Sequence, residues 1–193
     1  MQLIKNTFCS PYFIFIKEGF KITDQELLQR LDLKGYELVT DKEVKQSELE
    51  GKWTLFLTED SQWTHLMDNW FYTLWHDTKL RNRIKNLSAD FDIFYCYGGD
   101  CDESLGFVYY QNGALVREYI VEDPNFRGSK VVRDFGAPFT IEKTVSEETN
   151  PFFRVLSIAK SIGIDIQHRL EDIRPYRKLK EVPETFIFEE SEF

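Results

Sequence analysis

The 193 residues carry 33 acidic and 24 basic side chains, for a formal net charge of −9. A chain this acidic repels phosphate backbones, so direct nucleic-acid binding is not expected and a basic protein partner is favoured. Hydrophobic residues make up 42% and aromatics 16% (17 Phe, 9 Tyr, 4 Trp); this excludes a disordered chain, and the length allows a core without disulfides or metal.

In chain order, Phe8 to Lys17 is rich in aromatic and β-branched residues and predicts a strand. Its apolar stretch Pro11 to Ile16 is too short for a signal peptide and runs directly into Lys17 and Glu18. Thr23 and Glu26 have capping-box spacing, Ile22 and Leu27 have staple spacing, and Gly35 follows the helix they open. Tyr36 to Thr40 predicts a short strand, Lys42 to Glu50 a charged solvated stretch, and Trp53 to Thr58 a second long strand. Trp63, Leu66, Met67, Trp70, Phe71, Leu74 and Trp75 then recur at helical spacing. Capped by Ser61 and continued to Leu87, they predict one long amphipathic helix.

Phe91 to Tyr97, Leu105 to Tyr110 and Ala114 to Val121 predict a β-meander, with Asn112-Gly113 as its tight primed turn. A basic loop is expected over Asn125 to Arg133, a further strand over Phe139 to Lys143, and a helix opening at Asn150-Pro151 and closing at Gly163. From Asp165 the chain is charged and punctuated by Pro175 and Pro183, and Phe186 to Phe188 suits a short edge strand. The expectation is one domain over 1–193, with 165–193 a charged extension docked on the sheet edge. Its class is α+β: an antiparallel sheet built on the central meander, with helices mainly on one face.

Three cysteines, Cys9, Cys96 and Cys101, are few and odd in number, which points to a reducing, cytoplasmic location. No run approaches the roughly 20 apolar residues of a membrane span. Local signatures of a nucleophile elbow, a Walker loop, a zinc-protease helix or a dinucleotide fold are absent, and no cofactor is expected. The loop Gly98-Gly99-Asp100-Cys101-Asp102-Glu103 concentrates carboxylates but departs from the calcium-loop pattern, because Gly106 is misplaced and no terminal Glu follows. His65 and His76, on the expected helix, would stand roughly 16 Å apart and could not share a metal; no cysteine or second histidine stands at ligand spacing from His65. The basic runs Arg127, Lys130, Arg133 and Arg174, Arg177, Lys178, Lys180 are offset by Glu122, Asp123, Asp134, Glu171, Asp172 and Glu181. Along their strands, Tyr95 and Tyr97 share one sheet face, while Tyr109 and Tyr110 point to opposite faces.

The stretch FDIFYCYGGDCDESLGFVYYQNGALVREYIVEDP, followed by NPFFRVLSIAKSIGIDI, resembles a pattern in small bacterial proteins of the polymorphic-toxin immunity type. It covers Phe91 to Ile166. The resemblance implies a non-enzymatic inhibitor that occludes a basic partner such as a toxin, with Asp100, Asp102, Glu103, Tyr97 and Tyr109 as the partner-binding surface. Two other readings remain open: a metal-dependent hydrolase with a dispersed carboxylate site, and an acidic nucleic-acid mimic of the anti-defence type. The aromatic content permits a homodimer without requiring one.

Overall fold

The computed structural model describes residues 12–40, 54–68, 74, 79–99, 103–123, 128–145, 150–165 and 172–178. The strands are β1 (Tyr12–Lys17), β2 (Tyr36–Leu38), β3 (Thr54–Glu59), β4 (Trp63–Asp68), β5 (Ile93–Gly98), β6 (Leu105–Gln111), β7 (Ala114–Glu122), β8 (Lys130–Phe135) and β9 (Arg174–Lys178). The helices are α1 (Asp24–Arg30), α2 (Leu80–Leu87), α3 (Thr140–Val145) and α4 (Pro151–Ser161). The nine strands form one sheet in the order β2-β9-β3-β4-β1-β5-β6-β7-β8. Every pairing is antiparallel. The class is therefore α+β, with the β5–β6–β7 meander as the continuous half of the sheet.

β1 explains the layering. Tyr12 to Ile16 are all buried, none more than 8% exposed. Side chains alternate across a strand, so both faces must be covered. Tyr12, Ile14 and Ile16 join a core with Leu27, Leu28 and Leu31 around α1 and Leu80, Ile84 and Leu87 of α2. Phe13 and Phe15 join the opposite core with Phe152, Val155, Leu156, Ile158 and Ala159 of α4. Helices thus lie on both faces of the sheet. Each fully buried ring or branched side chain contributes about 1.5–3 kcal/mol of transfer free energy.

The local signals act as their chemistry requires. Thr23 accepts a hydrogen bond from the Glu26 amide, and Ile22 packs against the core that holds Leu27. Asn150 accepts from the amides of Phe152 and Phe153, with Pro151 at the first helical position of α4. Asn112 and Gly113 have φ of 50° and 76°, the left-handed pair that a primed hairpin turn demands.

Three expected elements are different. The long helix over 63–87 is not formed as one element: Trp63–Asp68 is β4, and among the described residues of this stretch helix is found at Leu80–Leu87. Asp60 directs the chain here. Its carboxylate accepts from the Gln62 and Trp63 amides at 2.6 Å each, and its own amide donates to the Trp63 carbonyl, closing a tight β3–β4 hairpin. All six residues of β4 are buried, so apolar side chains occupy both faces and reproduce helical spacing without a helix. The expected basic loop over 125–133 is strand from Lys130 onward. The expected strand over 139–143 is the short helix α3, where Glu142 accepts from the Phe139 amide at 2.7 Å. The stretches 42–50 and 186–188 lie outside the described residues.

Arg174–Lys178 lies inside the sheet, between β2 and β3. Arg174 Nε and Nη2 donate to the two oxygens of Asp24 at 2.6 and 2.9 Å, and the Tyr176 hydroxyl donates to the same carboxylate at 2.8 Å. A second clasp holds α3. Arg117, 1% exposed, donates through Nε and Nη2 to both oxygens of Glu142 at 2.9 and 2.7 Å. It also bonds Asp134 and the carbonyls of Phe135 and Glu118, and its guanidinium lies over the Phe107 and Tyr119 rings. The Glu142 hydrogen bond outweighs burial and holds the guanidinium well above its ordinary pKa.

Two predictions follow from these contacts. Arg117→Ala strands the Glu142 carboxylate, and breaking such a pair should cost about 3 kcal/mol, read from the urea midpoint at constant slope. Burial opposes ionisation of Asp60, yet donors from His65, Gln62, Trp63 and Asp165 outweigh it and draw the carboxyl down to about 2. This stabilisation is present above the unfolded pKa of about 4 and is lost as pH falls toward 2. Asp60→Asn should therefore be less stable than the parent by about 2 kcal/mol at neutral pH, with the gap closing between about pH 4 and pH 2 in parallel urea titrations.

Candidate functional site

The expected site lies at the end of the meander where β5 turns into β6. Gly99 donates its amide to the Ser104 carbonyl at 2.7 Å and closes the base of the turn. Asp100 and Asp102 lie outside the described residues. Glu103 is exposed at the start of the return strand. Its amide donates to Asp123 Oδ2 at 3.3 Å, and the Gly128 amide donates to Asp123 Oδ1 at 2.9 Å. The Asp123 amide in turn donates to Ser104 Oγ at 3.0 Å. Asp123 is only 6% exposed, so a buried carboxylate clasps the acidic turn to the connection leaving β7. Backbone amides donate to it, which is how a buried carboxylate is stabilised among the described residues.

Tyr97 and Tyr109 do not flank this turn together. Tyr97 lies on the face of the α1 and α2 core, and Tyr109 belongs to the α4 core. Tyr109 pairs in register with Phe94, whereas Tyr97 pairs with Gly106 beside the turn. Tyr109 is therefore roughly 16 Å along the strand from the turn base at Ser104, at about 3.3 Å per residue. It is covered by Phe139, with ring centroids 6.1 Å apart. Tyr97 is half-buried, and its ring lies across Gly106: a β-carbon added there would stand 2.3 Å from Cζ of the ring. The glycine makes a shelf that no other residue provides. Burial, with the carboxylates of Glu122 and Glu118 nearby, pushes the Tyr97 phenol up to about 12.

Behind Tyr97 stands a group that sequence reading did not assemble. Tyr12 stacks on Tyr95 and Tyr97 at 5.9 and 5.6 Å between centroids. Glu118, its side chain 4% exposed, is paired with Arg81, whose Nη2 donates to Oε2 at 2.9 Å. Burial raises the Tyr12, Tyr95 and Tyr110 phenols, so this group stays protonated around a neutralised carboxylate. The available signal was the period-two placement of Tyr95, Tyr97 and Glu118. The pairing with Arg81, 37 residues away, has no local trace.

His65 is fully buried, with Nε2 3.0 Å from Asp60 Oδ2 and its ring edge-on to Phe15 at 4.8 Å. This pair fastens the β3–β4 turn. His76 and His168 lie outside the described residues, as do Cys9 and Cys101. Cys96 is buried, and burial pushes its thiol well above the ordinary range, which makes it a poor nucleophile. Among the described residues no group of three or more His, Cys, Asp and Glu is arranged to hold a metal ion. No described helix is long and apolar enough to cross a membrane. Comparison with family models, curated proteins and solved structures gave no match to this chain.

Asp123→Ala removes the acceptor of two amides at once. It should cost about 1–3 kcal/mol, the penalty of leaving buried donors unpaired. Amide hydrogen exchange at Glu103 and Gly128 should accelerate while the β6 interior stays protected.

Proposed function

We propose that the protein is a stoichiometric, non-enzymatic binding protein of the immunity type, acting in the cytoplasm by covering a basic surface of a partner such as a toxin. The observation that carries this reading is the Asp123 clasp. It accepts the Glu103 amide on one flank of the acidic turn and the Gly128 amide beyond β7, in a chain of net charge −9. A flank fixed in advance spares part of the entropy of ordering on binding. Complementary charge then speeds encounter, and the half-buried Tyr97 beside the turn offers a rigid aromatic contact. Asp100, Asp102 and Glu103 supply the charge in this scheme. Tyr109, buried under Phe139, contributes through the core rather than by contact.

Affinity capture of the full chain from its native lysate should recover one basic protein near stoichiometry, released as salt shortens the Debye length from about 10 Å at 0.1 M to about 3 Å at 1 M. Against that partner, neutralising the turn (Asp100→Asn, Asp102→Asn, Glu103→Gln) should slow association about tenfold at low salt while the melting temperature holds. Unchanged association rate and affinity in the neutralised variant would remove the turn from the interface.

A further inference from the structure

β9 is an interior strand that is not built like one. It lies between β2 and β3. In β3, Thr54 to Thr58 are all buried, whereas no side chain of β9 is: four are half-buried and Arg177 is exposed. The strand also holds Pro175, and interior strands normally exclude proline because it lacks an amide donor. Here the Pro175 carbonyl accepts from the Val39 amide at 2.8 Å, one residue past the end of β2. A residue's amide and carbonyl point to the same side of a strand, so the missing donor falls where that ladder stops.

The side-chain contacts that hold β9 are mainly polar. Its register sets Arg174 opposite Leu57 and Tyr176 opposite Leu55, so both side chains point to the α1 face. There they converge on one carboxylate, Asp24 of α1, and Arg174 also reaches Glu59 at 2.9 Å. Burial, then the Asp24 hydrogen bond, pushes the Tyr176 phenol up to about 12, so its hydroxyl stays a donor at neutral pH. Arg177 stands opposite Glu37, and Lys178 lies over the Tyr36 ring at 5.9 Å from its centroid. The charged side chains of the two flanking strands are Glu37 and Glu59, both acidic, and the one cation of α1, Arg30, is engaged by Asp90. The flanks have anchors besides β9: Leu33 and Tyr36 are buried in the α1 core, and β3 pairs with β4 from Leu55 to Glu59. We propose that the gap between β2 and β3 is a strand-accepting site for an extended basic segment with arginine and tyrosine two residues apart, and that β9 is its built-in, releasable occupant. Main-chain ladders on both sides give the affinity, and Asp24 reads the two side chains. Joined to the chain, β9 holds the site at a high effective concentration, which a free segment of the same sequence overcomes when β9 is weakened. Release withdraws no fully buried side chain of β9, so it proceeds by local opening. The site is distinct from the acidic turn between β5 and β6 and does not depend on the function assigned to that turn.

The test uses the full chain, a variant carrying Arg174→Lys with Tyr176→Phe, and two labelled peptides followed by fluorescence anisotropy. One peptide has the sequence of Ile173 to Lys178, and the other carries the same two changes as the variant, so charge is constant throughout. The native peptide should bind the variant at least about tenfold more tightly than it binds the unaltered chain, and at least about tenfold more tightly than the altered peptide binds the variant. Hydrogen exchange on the unaltered chain gives a readout that does not require the variant to fold: the amides of Tyr176, Arg177 and Lys178 should exchange at least about tenfold faster than those of β1. No binding of the native peptide to the variant, equal affinity for the two chains, equal binding of the two peptides to the variant, or exchange of β9 at the rate of β1 would overturn the proposal.

Discussion

The constraint on which this architecture rests is the burial of β1 on both faces. Five consecutive side chains, Tyr12 to Ile16, must be removed from water on two sides of one strand. A two-layer arrangement cannot do that. The sheet therefore runs on past β1 in both directions, to β4 and β5, and helices close over each face. The phenylalanines at 13 and 15 and the isoleucines at 14 and 16 assign themselves to separate cores by parity alone. β1 also stitches the sheet together: it joins the β3–β4 hairpin to the meander, two halves that neighbour each other in the chain only through α2 and residues outside the described set.

Apolar burial is non-directional, so it does not by itself decide which strand lies beside which, or where a hairpin turns. A few carboxylates make those choices. Asp60 closes the β3–β4 turn, Asp24 receives Arg174 and Tyr176 of β9, Glu142 receives Arg117, and Asp123 binds the turn after β5 to the exit from β7. Each is at least partly buried and each has its donors in place. Unmet, each would cost far more than the net gain from the bonds it makes. These contacts therefore select one arrangement more than they add to its stability.

The same economy shapes the surface. Charge is not spread evenly: the acidic turn lies between β5 and β6, and cations with exposed valines lie on β8 two strands away. The Asp123 clasp holds Glu103, and Tyr97 lies across Gly106, at the base of the acidic turn. On the far edge the register with β7 skips Val132, and Lys130 and Arg133 stand beside that bulge.

Much of this was legible from the residues alone. The meander, its Asn112-Gly113 turn, the caps at Thr23 and Asn150, and the split of Tyr109 from Tyr110 follow from short-range stereochemistry, which acts within a few residues and leaves its mark in the sequence. The acidic turn was visible as composition. The start of the helix expected over 63–87 was misread because Trp63, Leu66 and Met67, in a strand buried on both faces, have the apolar spacing of a helix, while the Asp60 turn sets them in a hairpin. The place of Arg174–Lys178 between β2 and β3, the Arg81–Glu118 pair and the Arg117–Glu142 clasp were decided by tertiary structure. They join groups tens to more than a hundred residues apart. In the sequence such residues read as ordinary surface charges. They become partners only where packing has excluded water, because there each buried charge must find its counterpart or pay its desolvation.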